Sequence, residues 1–352
     1  MLNIGYVGFG KSTNRYHLPY VEQRLDRINV KRIYARTVGK RPEDEAAWRE
    51  RGTIFSNDMA DIINDTELDL VVVVTPAPSH FETVKTLLLA GKNVLVDKPM
   101  ARTKAEVEEL TAIAKEKGLF LMPFQNRRFD SDFLTLKHVL NTGYVGEPVE
   151  LEVHMDHYRP NDGADAGDYI NGDWYGHGVH LVDQMVSLFG QPEAASYDVK
   201  SVRVPGSPLD DNFEAHLFYE GGLKATVQAT ELAAVHYPKW VLHGTKGSYI
   251  KHNIDQQEYD LKAGIMPGDV NFGLDAPQDY GQLTYYNQNG DRIEKTITSL
   301  PGDYGRVYDH VYETLVNGAE SLISFDAMTT VIDVLEQGAA DARPHTTYFN
   351  EK

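Results

Sequence analysis

The pattern of apolar and polar positions changes character once along the chain. In the first third, short apolar runs alternate with stretches of helical periodicity. Residues 2–7 and 70–74 are almost wholly apolar, and Leu70-Val71-Val72-Val73-Val74 is bounded by Asp69 and Thr75-Pro76. Strands covered on both faces of a parallel sheet read this way. Residues 93–96 and 119–122 repeat the pattern, and 30–35 is a weaker strand because Lys31 and Arg32 interrupt it. Residues 81–90 read as a helix stopping at Gly91. Residues 103–117 carry Val107, Leu110 and Ala114 at helical spacing and stop at Gly118. Glycine suits the left-handed residue that ends a helix. Thr103-Lys104-Ala105-Glu106 has the spacing of a capping box. Strand and helix alternating at this rhythm predict βαβ units in a doubly wound parallel sheet.

From about Pro123 the period switches to two. Residues 149–155 alternate apolar and polar, so one face of that strand is buried. Phe213, Ala215, Leu217 and Tyr219 alternate up to Gly221-Gly222, and Leu223, Ala225 and Val227 alternate away, which predicts a hairpin. Gly244-Thr245-Lys246-Gly247 and Asn289-Gly290 mark two further turns. Two helices, 179–189 and 327–339, accompany these strands. The prediction is an α/β N-terminal domain over 1–122, then an α+β domain over 123–352 with a large, mostly antiparallel open sheet.

The chain has 352 residues, enough for two cores. Lys+Arg number 34 and Asp+Glu 52, a net charge of −18. Such a surface repels phosphate backbones, so no nucleic-acid partner is expected. Cysteine is absent, which removes disulfides, zinc thiolates, iron–sulfur clusters and thiol nucleophiles. No apolar run reaches the roughly 18 residues of a membrane span. Met1-Leu2-Asn3-Ile4 does not open a basic-then-apolar leader. A cytoplasmic location is therefore expected.

Gly8-Phe9-Gly10-Lys11-Ser12-Thr13 follows the first predicted strand directly. In a dinucleotide fingerprint the first glycine makes the tight turn, and the second lets backbone approach a pyrophosphate. The third small position is Thr13, a departure. The strand before and the βαβ units after make this a Rossmann domain and disfavour a Walker A loop. The second strand ends in Tyr34-Ala35-Arg36-Thr37, with no carboxylate for a ribose diol. A guanidinium and a hydroxyl suit a 2′-phosphate, which favours NADP over NAD. A solvated Arg36, with NAD bound in the absence of the acid, is the alternative. Lys31, Arg32, Lys40 and Arg41 lie near in sequence.

Four segments make the chain resemble the Gfo/Idh/MocA oxidoreductases over nearly its whole length. They are residues 71–76 with His80, residues 91–99, Asn126-Arg127-Arg128-Phe129, and residues 174–184. The resemblance implies hydride transfer between NADP or NAD and a sugar, sugar derivative or cyclitol. It implies Lys98, in Asp97-Lys98-Pro99, as the lysine beside the nicotinamide, with a Lys–Pro bond that is often cis. Asp97 replaces the family's glutamate. His180 and Asp183 match a histidine–aspartate helix motif, and Gly176 stands where many members carry an acid, a role left to Asp173 or His177. Thr75, Pro76, His80, Asp97 and Asn126 fall on the cofactor side. Tyr158, Asp173, His177 and Tyr304, with His157 and Tyr175, fall on the substrate side. Relatives commonly pair through the open sheet, so a homodimer or homotetramer is expected.

The residues support the same chemistry. Oxidising a secondary alcohol requires removal of its hydroxyl proton as the hydride leaves. His180 has an ordinary pKa of about 6.5, and Lys98, at about 10.4, orients and polarises the oxygen unless its basicity is lowered. At 100° per residue, His177, His180, Asp183, Gln184 and Ser187 share one polar arc, predicted to line a cleft. His177-x-x-His180-x-x-Asp183 has metal-like spacing, but no metal is expected, because this hydride transfer needs none and no further ligand cluster is apparent. A cofactor-binding regulator without turnover, and redox-assisted sugar-bond cleavage on tightly held cofactor, are the alternative functions.

Overall fold

The apolar runs of the first third pair in parallel, in the order that a doubly wound sheet requires. The computed structural model describes residues 1–340 and 344–349. Strands β1 (Leu2–Val7), β2 (Ile28–Tyr34), β3 (Ile54–Ser56), β4 (Leu70–Val73), β5 (Val94–Val96) and β6 (Leu121–Pro123) form one sheet. Its order is β3-β2-β1-β4-β5-β6, every pair parallel. This is the arrangement whose crevice binds dinucleotides at the switch between β1 and β4. Every residue of β4 and β5 is fully buried, which is why both read as unbroken apolar runs. Helices α1 (Leu18–Glu22), α2 (Pro42–Glu50), α3 (Ala60–Ile63), α4 (His80–Leu89) and α5 (Lys104–Lys117) connect the strands. The predicted cap of α5 is present: Thr103 Oγ1 accepts from the Glu106 amide at 3.2 Å. The reciprocal arm reaches one residue further back, where Glu106 Oε2 accepts from the Arg102 amide. Gly118 ends the helix at φ +64°.

The chain divides into two compact units. The first comprises Met1–Asn126, Met266–Gly268 and Tyr304–Thr329; the second comprises Arg127–Ile265, Asp269–Asp303 and the chain from Thr330 onward. Within the second unit, helices α6 (Ser131–Thr142), α7 (Val179–Phe189) and α8 (Gln256–Ala263) accompany a nine-stranded sheet. Its strands are β7 (Pro148–His154), β8 (Ala194–Lys200), β9 (Asn212–Phe218), β10 (Lys224–Thr230), β11 (Trp240–Gly244), β12 (Gly247–Lys251), β13 (Gly281–Tyr286), β14 (Arg292–Ile297) and β15 (His345–Tyr348). They run in the order β14-β13-β12-β11-β7-β10-β9-β8-β15. Only the β7–β10 pair is parallel. The three predicted turns join β9–β10, β11–β12 and β13–β14. Gly221 and Gly222 both have positive φ, so a β-carbon would be strained at either. Strands β8 and β15, and helices α6 and α8, were not among the predicted elements.

Segment Tyr304–Thr329 packs within the first unit and carries α9 (Arg306–Asn317). Tyr308 is fully buried there, and its hydroxyl lies 2.7 Å from both Tyr6 Oη and His17 Nδ1. Arg24 grips Asp309 through two nitrogens, at 2.7 and 2.9 Å. The last helix, α10 (Phe325–Ala339), starts two residues earlier than predicted. No helix among the described residues is long and apolar enough to cross a membrane.

Candidate functional site

In the first unit, the turn after β1 is built around Gly8. Its φ is +117°, and a β-carbon there would lie 2.4 Å from the Val74 carbonyl oxygen at the end of β4. No side chain fits between these two strand ends. Thr13, the departure from the third glycine, is fully buried and donates its hydroxyl to the Gly8 carbonyl at 3.0 Å, closing the turn. A β-carbon on Gly10 would meet nothing within 4 Å, so the space over this backbone is open. The chain then runs through a widened π turn, Thr13–His17, into α1. Such turns are frequent at functional sites.

A cavity of about 540 Å³ opens at this turn. Gly8, Phe9, Gly10, Arg36, Thr37, Thr75 and Pro76 line it, so seven predicted cofactor residues share one space. Phe9 is held edge-on against Phe55 at 5.0 Å. Lys40 also lines the cavity, whereas Lys31 and Arg32 are tied to Asp65 at 2.7 and 3.1 Å, and Arg41 pairs with Asp44. The lining carboxylate, Glu82, comes from α4 and not from the end of β2. Ser79, just before this helix, and Thr83 and Thr86 on it also line the cavity and were not predicted from sequence. The spacing of Ser79, Thr83 and Thr86 on one helical face was the available signal.

Two predicted cofactor residues are anchors of the surrounding chain. His80 is buried, with Nδ1 and Nε2 each 2.7 Å from a main-chain carbonyl, those of Pro99 and Thr75. It therefore ties the end of β4 to the Lys98–Pro99 turn, whose peptide bond is cis. Asp97 accepts from Ser12 Oγ at 2.7 Å and from the Lys98 amide at 2.8 Å, and lies 3.8 Å from His17 Nε2. Burial pushes the Asp97 carboxyl up, but His17, Lys98 and Ser12 together outweigh it and hold the group below the usual carboxylate range. Lys11 is exposed beside the turn, and Asn126 is buried at the first residue of a short 3₁₀ turn. Tyr304 is fully buried and packs on Tyr20 at 5.5 Å. The pair of His17 and Tyr308 was missed because 291 residues separate them.

In the second unit, α7 also begins from a π turn, Trp174–Gly178. Within the predicted polar arc, His180, Asp183 and Gln184 are all buried. Asp183 takes a bidentate grip from Arg128, Nε to Oδ2 and Nη2 to Oδ1, both 2.8 Å. Gln184 donates to the Arg127 carbonyl at 2.8 Å. Asp183 and Gln184 are thus held by the segment before α6. The π turn also separates His177 from the regular register of α7.

His177 instead joins residues from elsewhere in this unit. Its Nδ1 lies 3.3 Å from Asp173 Oδ1, and its ring stacks on His157 at 5.2 Å. His157 Nδ1 lies 3.4 Å from Glu231 Oε1, which also accepts from Arg159 at 3.1 Å. Burial, then Glu231 and Asp210, push the Asp173 carboxyl up to about 7. Burial pushes the neighbouring Asp210 to about 7 as well. Burial, followed by Arg159, holds His157 down at about 3, so its ring is neutral near pH 7. Glu231 was not predicted; it follows β10 directly, and its Thr230-Glu231-Leu232 context carries no motif. Tyr158 is more than half exposed.

The comparisons with known proteins cover both units. Residues 2–125 match the model of the oxidoreductase family NAD-binding Rossmann fold, and residues 137–348 match the family's C-terminal alpha/beta domain. The chain is 46% identical over 346 residues to the "uncharacterized oxidoreductase YhhX" of Escherichia coli, covering 98% of each chain. It is 31% identical to the "scyllo-inositol 2-dehydrogenase (NADP(+)) IolW" of Bacillus subtilis, covering 99% of this chain and 96% of that protein. A solved oxidoreductase from Bacillus cereus superimposes with a TM-score of 0.96 at 43% identity, covering 100% of this chain and 99% of the other.

Proposed function

The chain belongs to the Gfo/Idh/MocA oxidoreductase family, and from that premise we propose that it transfers a hydride between NADP(H) and a hydroxyl or carbonyl of a sugar, sugar derivative or cyclitol. The observation that carries this is the cavity joining the Gly8–Gly10 turn to Arg36, Thr37 and Lys40. Its glycines leave backbone open to a pyrophosphate, and its far end offers two cations and a hydroxyl to a 2′-phosphate. The relative named as an NADP(+)-linked scyllo-inositol dehydrogenase supports both the cofactor and the substrate class. A bound nicotinamide dinucleotide supplies the hydride chemistry. Lys98 holds and polarises the substrate oxygen, His180 exchanges its proton, and Asp183, gripped by Arg128, fixes the helix that carries His180.

The cofactor assignment is tested by KM values measured with both nicotinamides. Arg36→Ala is expected to raise KM for NADPH about 10–100-fold, the value of a charge-assisted contact to phosphate. KM for NADH should stay essentially unchanged. An equal effect on both cofactors overturns the phosphate assignment. The substrate class is tested by screening sugars and cyclitols while following nicotinamide absorbance. We also propose that the chain works as a homodimer or homotetramer. Light scattering should then give a multiple of 39.5 kDa, and a mass near 39.5 kDa itself rejects it.

A further inference from the structure

The stacked histidines of the second unit carry none of the hydride or proton steps proposed above. Among the described residues, His157, His177 and Glu231 bring one ligand atom each within 4.8 Å of one another, and Asp173 adjoins them. We propose that these residues form a binding site for one divalent transition-metal ion, with His157, His177 and Glu231 as ligands and Asp173 beside the fourth position.

Three observations support this. The first is spacing. Atoms bound tetrahedrally at the usual zinc distances lie about 3.3 Å apart. His157 Nδ1 and Glu231 Oε1 are 3.4 Å apart, and His177 Nδ1 and Asp173 Oδ1 are 3.3 Å apart. The second is a buried acceptor left over. Glu231 is 2% exposed, and its Oε2 has no hydrogen-bond partner; the Arg203 guanidinium stands 3.8 Å away. His157 Nδ1 is likewise buried without a hydrogen bond. Arg159 donates to Oε1, the same oxygen that lies 3.4 Å from His157 Nδ1, and so orients the carboxylate as the outer partners of metal ligands do. The third is charge. Asp173, Asp210, Asp211 and Glu231 gather around two guanidinium groups, those of Arg159 and Arg203. Carboxyl groups outnumber guanidinium groups there, so a bound cation adds balancing charge. Two imidazoles with carboxylate select zinc-like ions over magnesium or calcium, which prefer all-oxygen sites.

His177, spaced with His180 and Asp183 in sequence, therefore finds its ligand set elsewhere. Asp183 belongs to Arg128, and the partners of His177 arrive from the loop before the π turn and from the residue after β10. The inference stands apart from the oxidoreductase reading, because its test reads metal and not turnover.

The test uses the full chain, stripped with chelator and titrated with Co²⁺ and Zn²⁺. One equivalent of Co²⁺ should produce visible d–d absorption, and Zn²⁺ should bind by calorimetry with one-to-one stoichiometry and displace it. The His157→Gln/His177→Gln double variant should bind at least about 100-fold more weakly, as removing ligands requires. The single variant His177→Gln, at a partly buried position, should also lose the cobalt spectrum while keeping the wild-type circular dichroism. His216→Gln removes an alternative histidine–carboxylate pair, 2.9 Å from Glu214 on the surface, and should change nothing. Absence of one-to-one binding in the wild-type chain overturns the site. So does binding that survives in the folded double or single variant, or that is lost in His216→Gln.

Discussion

Replacing Lys98 with alanine lowers kcat/KM by about 10²–10⁴-fold, the range contributed by a positioned proton-handling group. The surrounding chain should tolerate the change. Asp97 is held by Ser12 and by the Lys98 amide, and His80 holds the Pro99 carbonyl, so the main chain on both sides is fixed without the lysine side chain. His180→Ala should fall in the same range, since the same proton would have no acceptor. The measurement is turnover of a verified sugar or cyclitol, with circular dichroism to confirm folding. Normal kcat/KM in both folded variants removes the assignment of proton handling to these residues.

Asp183→Asn is expected to cost about 3–5 kcal/mol of stability, because it leaves the Arg128 guanidinium buried without its counter-charge. Both partners are well buried, with side chains 11% and 2% exposed, and both bonds of the fork are 2.8 Å. A domain of this size should lose roughly 6–20 °C in Tm. Pairing the change with Arg128→Met, as Asp183→Leu/Arg128→Met, should recover most of the loss, because an apolar pair of similar volume replaces the ion pair. That outcome makes Asp183 a positioning residue for His180. An Asp183→Asn chain with unchanged Tm and lost turnover would instead give Asp183 a direct part in the reaction.

The parallel sheet was legible because its strands are buried on both faces. Leu70–Val73 leaves no polar position to confuse the period. The hairpins were legible because Gly221-Gly222, Gly244-Thr245-Lys246-Gly247 and Asn289-Gly290 mark their turns. Strand β8 was missed although Ala195, Tyr197 and Val199 alternate with Ser196, Asp198 and Lys200. It has no turn glycine directly beside it to call attention to the alternation. The glycine turn, Arg36 and Thr37 were legible because local backbone geometry and charge place them. The second unit's cluster was not, since His157, His177 and Glu231 come from three separate segments brought together by sheet order. The ion pair of the α7 arc was hidden for a related reason. A helical wheel shows which residues share a face, but not that Arg128 waits opposite Asp183.

The return of Tyr304–Thr329 to the first unit has a consequence for how the chain is made. The ribosome delivers the glycine turn and all six parallel strands early, yet Tyr6, His17 and Arg24 then lack Tyr308 and Asp309. At about 5–20 residues per second, those partners arrive on the order of ten seconds or more later. The dinucleotide unit therefore gains its full set of buried partners only late in synthesis. It is completed only after strands β7–β14 of the second unit have been synthesised.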